Sequence, residues 1–63
     1  MDLQYAKQQF ERYLDNYDRA DDKVRLKIAH TYGVTECSRQ IAERMGLSEE
    51  DCRLAQLIGL LHD

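Results

Sequence analysis

Three side chains carry the most specific chemistry in this sequence: His30, and the adjacent pair His62 and Asp63. Imidazole nitrogens and a carboxylate oxygen are suitable ligands for divalent Mn, Fe, Co, Ni or Zn. His62 and Asp63 close an apolar run, where burying them without a partner is costly. Two packed helices can bring such distant residues around one ion. Spacing alone is a weak signal, because a histidine on an apolar stripe is more often a hydrogen-bonded core residue than a ligand. Adjacent helical residues also point about 100° apart, so His62 and Asp63 share an ion only if it lies over the edge between them.

The elements that must position these residues are helices. The chain has no proline, three glycines and few β-branched residues, which predicts an all-α fold of three helices. Leu3, Ala6, Phe10, Tyr13, Leu14 and Tyr17 recur at three- and four-residue steps and predict an amphipathic first helix over 1–17. Asp21 or Asp22 can cap a second helix over 22–45. Its stripe of Leu26, His30, Val34, Cys37, Ile41 and Met45 is expected to face inward. Gly46 stands where a left-handed C-terminal cap belongs, and Ser48-Glu49-Glu50-Asp51 resembles a capping box. The third helix, expected over 49–63, is apolar on most of its circumference through Leu54, Ala55, Leu57, Ile58, Leu60 and Leu61, so it should be central. Gly59 in its middle costs about 1 kcal/mol relative to alanine, which suggests close approach of another backbone.

Composition narrows the function classes. With 63 residues the chain is one domain at most, and a chain of this size buries only about 60% of its unfolded surface, so its stability is marginal. A third of the residues are charged, and no apolar run approaches the ~18 residues of a membrane span. The N-terminal MDLQYAKQQFER has neither the basic start nor the apolar stretch of a signal peptide, and the chain reads as soluble and cytoplasmic. Nine basic residues against twelve acidic ones, scattered along the chain, do not form the footprint of a nucleic-acid binder. Two cysteines are too few for a disulfide scaffold. Cys37 and Cys52 read as small buried thiols.

The segments Leu26-Lys27-Ile28-Ala29-His30-Thr31-Tyr32-Gly33-Val34, Ile41-Ala42, Gly46-Leu47-Ser48-Glu49-Glu50-Asp51 and Leu54 through Asp63, ending Leu-Leu-His-Asp, together resemble the start of an HD-domain metal-dependent phosphohydrolase. The resemblance covers about residues 17–63. It implies a helical bundle with a metal site ordered His, His-Asp, then a distant Asp. His30 matches the first histidine, and His62 and Asp63 match the pair, Asp63 serving as ligand and as the catalytic group that orients water. The implied cofactor is a divalent ion, one of Mn, Fe, Co, Ni, Mg or Zn. In such proteins the ion acidifies a bound water and polarises a phosphoryl oxygen, so that hydroxide attacks phosphorus. The family's last aspartate lies tens of residues beyond its His-Asp pair, so this chain is expected to be an N-terminal part that is inactive alone, within a parent acting on a phosphorylated small molecule or nucleotide.

Lys27, one turn before His30, is a candidate contact for a substrate phosphate, although a basic side chain on a helix is usually solvated. Gly33, one turn after His30, either leaves room for a ligand or serves helix packing. Tyr5, Tyr13 and Tyr17 are expected to pack on the inner stripe of the first helix. A second reading keeps the histidines as core residues and makes the chain a helical interaction module. Either way the apolar third helix predicts self-association. Stoichiometric metal that is lost on mutating His30 would separate the two readings.

Overall fold

A computed structural model describes residues 2–62, and within them the chain is three α-helices: α1 (Leu3–Leu14), α2 (Asp22–Arg44) and α3 (Glu49–Leu61). Each starts on a side chain that accepts from orphan backbone N–H groups. Asp2 accepts from Gln4 N–H, Asp21 from Lys23 and Val24 N–H, and Ser48 from Asp51 N–H. Asp21, rather than Asp22, is therefore the cap of α2. That helix ends on Gly46 at φ +76°. The Leu47 N–H reaches the Ala42 carbonyl and the Gly46 N–H reaches the Glu43 carbonyl, the pair of bonds that closes a helix through a left-handed residue. Ser48 follows at once, so α2 and α3 form an antiparallel hairpin.

α1 stops at Leu14, three residues short of its expected end. Beyond it the backbone makes i to i−3 bonds, Asn16 N–H to Tyr13 O and Tyr17 N–H to Leu14 O, and the Asn16 side-chain amide also donates to Tyr13 O. Arg19 Nη2 then folds back onto the Glu11 carbonyl at 2.9 Å, so the chain turns toward α2 instead of extending the helix.

α3 is central, as expected. It lies along α2 and also receives the backbone of α1, while α1 reaches α2 through side chains. Phe10 meets Tyr32 edge to face at 5.5 Å, and the Tyr32 hydroxyl donates to Glu11 at 2.8 Å. At the α2–α3 crossing a Cβ on Gly59 would lie 2.9 Å from Ser38 Oγ, 3.0 Å from Thr35 Cα and 3.1 Å from the Val34 carbonyl oxygen. Glycine is thus required at 59 for the backbones to come this close.

The inner face of α2 differs from the expected stripe. Thr31, Thr35 and Ala42 are buried, whereas Leu26, His30, Cys37, Ile41 and Met45 are exposed. The close crossing at Gly59 explains the difference, because it admits small side chains and turns the large ones outward. Thr35 satisfies its buried hydroxyl by donating to the Thr31 carbonyl at 2.8 Å. Cys52 is buried as expected, but Cys37 is not. Tyr5, Tyr13 and Tyr17 are also about half exposed, and the Tyr13 and Tyr17 hydroxyls meet at 2.9 Å. Of the two roles expected for Gly33, helix packing is not met, since a Cβ there would meet nothing within 4 Å.

Candidate metal centre

His30 projects from the third turn of α2, and His62 is the residue on which α3 ends. Because the hairpin is antiparallel, these two positions come level. Their rings meet with centroids 5.5 Å apart and planes at 63°. His62 is held in place from its own helix, its Nδ1 lying against the Gly59 carbonyl oxygen. A carbonyl only accepts, so Nδ1 carries the proton and Nε2 is left with its lone pair free for a ligand. The space beside His30 left open by Gly33 lies one turn further along α2.

Of the other residues singled out by sequence, Asp63 lies outside the described residues. Lys27 is exposed on α2 and lines the groove between α1 and α2. Among the described residues no cluster of three or more His, Cys, Asp or Glu forms. None of their helices is long and apolar enough to cross a membrane.

The comparison with protein families adds one observation to this geometry: the HD domain model matches residues 28–63. The chain belongs to the HD domain family. No curated protein and no solved structure matches it. HD domains form a superfamily of metal-dependent hydrolases, generally phosphohydrolases, and typically bind divalent ions. The matched residues contain both histidines and the whole α3 element.

The separation of the two histidine rings in this HD domain is compatible with a shared ion. An ion about 2.0–2.1 Å from an imidazole nitrogen lies about 3.2 Å from the ring centre, so two imidazoles on one tetrahedral ion have centres about 5.2 Å apart. The observed separation is 5.5 Å. The Gly59 carbonyl also supplies what metal-bound histidines almost always have, an acceptor for the second ring nitrogen. Both histidines are reached through exposed side chains rather than through a sealed core.

Sequence inspection missed two polar clusters that hold the HD helices in register. Arg39 bridges Glu43 at 3.1 Å and Glu49 at 2.7 Å and donates to the buried Gln56 amide oxygen at 2.9 Å. This clamps α2 to the start of α3. Glu11 accepts from Tyr32 and Arg19, tying α1 to α2. The only signal for them was the charge pattern, which does not say which pairs meet. Glu49 is held below the ordinary carboxylate value of 4.5 by its hydrogen bond from Arg39. Glu11 is lowered by its bond from Tyr32 and then by Arg19. Burial, and then the Glu11 carboxylate, push Tyr32 up to about 12.

Both carboxyls titrate lower in the fold than in the unfolded chain. Their contribution is therefore complete above the ordinary value of 4.5 and disappears as pH falls through the folded values. The melting temperature is expected to stay level from pH 7 to about 5 and to fall below that. Circular dichroism melts across this range check it, and Glu49→Gln should flatten the acid slope.

Proposed function

We propose that this chain is the metal-holding N-terminal part of a phosphohydrolase that cleaves a phosphate ester or nucleotide. His30, His62 and Asp63 are the ligands, Asp63 also orients water, and Lys27 contacts the substrate phosphate. The observation that carries this reading is the level pairing of His30 and His62, with His62 oriented by Gly59. A bound divalent ion supplies acidification of water and polarisation of a phosphoryl oxygen. The protein's part is to hold two imidazoles in one orientation. Lys27 lies about one helical turn before His30, on a neighbouring position of the α2 surface.

Two or three ligands hold an ion less rigidly than a complete set, and catalysis needs fixed geometry. The 63-residue chain should therefore turn over little p-nitrophenyl phosphate or nucleotide with Mn, Co, Ni or Zn. A longer protein that contains it and adds a further aspartate ligand should hydrolyse such esters. Turnover by the short chain at a rate near that of the longer protein would sink the requirement for further ligands. An inactive longer protein would favour the interaction-module reading.

That second reading has an observation of its own. Leu26, Met45 and Ile58 are 72%, 68% and 62% exposed, and Ile41 and Leu54 are also more than half exposed. An apolar surface of this kind usually marks an interface. The isolated chain should accordingly self-associate. Light scattering at rising concentration checks this, and a monodisperse monomer throughout would refute it.

A further inference from the structure

The ring contact between His30 and His62 puts one stripe of α2 and one stripe of α3 on the same face of the hairpin. On α2 it is the stripe that runs from Leu26 through His30 to Met45, and on α3 it is Ala55, Ile58 and His62, at three- and four-residue steps. Neither stripe carries a charged side chain. α1 reaches α2 on the other side, through Tyr32, which stands about 200° around the helix from His30. The histidine face is therefore left open. Leu26 and Ile58, each four residues before a histidine of the pair, are both well over half exposed.

The same face is short of donors. Two imidazoles are half of a tetrahedral set, and among the described residues no third His, Cys, Asp or Glu joins them. A second copy of the chain offers the same two imidazoles again. A twofold interface sets a patch against itself, so a charged patch repels its own image while an uncharged apolar one buries it. Each chain has a net charge of -3, and two copies repel one another through most of their surface. These stripes are exempt, and a divalent cation between them offsets part of that repulsion.

We propose that a second copy of this chain docks on the open α2–α3 face, about a twofold axis beside the histidine pair, so that His30 and His62 of both copies hold one divalent ion between them. The bridge rests on the metal reading of the pair. The choice of face rests on exposure and patterning alone. Four imidazoles fill the set without Asp63 and leave no open position for water, as in structural zinc sites. The bridged pair accordingly holds metal without turning over phosphate esters.

The test is sedimentation velocity together with zinc titration calorimetry on the 63-residue chain, in Zn2+ and in a chelator. With Zn2+ the chain should sediment as a dimer that binds one ion per two chains, and the chelator should weaken that dimer at least tenfold. Ile58→Glu removes no ligand but sets like charges against each other across the axis. It should return the chain to a monomer and weaken zinc binding at least tenfold. Should that variant fail to fold, the stoichiometry of the natural chain still decides. One ion per chain on a monomer overturns the bridge and leaves the metal reading standing, whereas no bound zinc removes both. A dimer equally strong in chelator overturns the role of the ion.

Discussion

Gly59→Val should lower the melting temperature of the chain by about 5–15 °C, the shift that about 1–2 kcal/mol produces in a domain this small. The Cβ of any other residue would lie 3.0 Å from Thr35 Cα and 3.1 Å from the Val34 carbonyl oxygen. Both are backbone atoms, which yield only if α2 and α3 separate. Overpacking of this kind costs about 1–3 kcal/mol, and valine adds two branched carbons beyond the first. Against this stands the gain from removing a mid-helix glycine, about 0.5–1 kcal/mol. The clash wins. The matched control is Gly33→Ala, where the added carbon meets nothing within 4 Å and the chain should gain about 0.5–1 kcal/mol. Urea unfolding of the two variants checks both signs. A Gly59→Val chain as stable as the natural one would mean that the helices do not pack this closely.

The second large effect concerns metal. Zn2+ or Co2+ at about ten times its dissociation constant should stabilise the chain by about 1.4 kcal/mol, which raises the melting temperature by about 6–11 °C. His30→Ala and His62→Ala should each abolish that rise. His30 is exposed on α2, so its loss should leave the metal-free chain nearly as stable as before, and the missing rise would report ligation rather than damage to the fold. Thermal melts with and without metal make the comparison. A full rise in His30→Ala would place the ion elsewhere.

The helices themselves were legible because their punctuation is chemical: Asp21, Gly46 and Ser48 each answer a backbone need that few other residues meet. Gly59 was legible for the same reason, as a residue whose cost demands a close neighbour. The inner face of α2 was not. Periodicity marks Leu26, His30, Val34, Cys37, Ile41 and Met45 as one stripe, of which Val34 stays half-buried and the others are exposed. What turns it outward is the spacing between helices, which is set by Gly59 on a different element. Thr31 and Thr35 carry hydroxyls and gave no apolar signal, yet their small size is what the crossing requires. In the candidate centre, the order of His30 and His62 was readable from the motif. The Gly59 carbonyl that orients His62 was not, since backbone acceptors have no signature in sequence.

The order in which the helices are made bears on how the chain reaches this fold. α2 and α3 are joined by four residues, 45–48, and close on each other as soon as both exist. α1 has no such neighbour. Its backbone partner is α3, at the far end of the chain. At about 5–20 residues per second a ribosome needs about 2–7 s to go from Leu14 to Glu49. Throughout that interval the nascent α1 can meet α2, where Tyr32 awaits Phe10, but lacks the α3 backbone on which it packs in the finished fold.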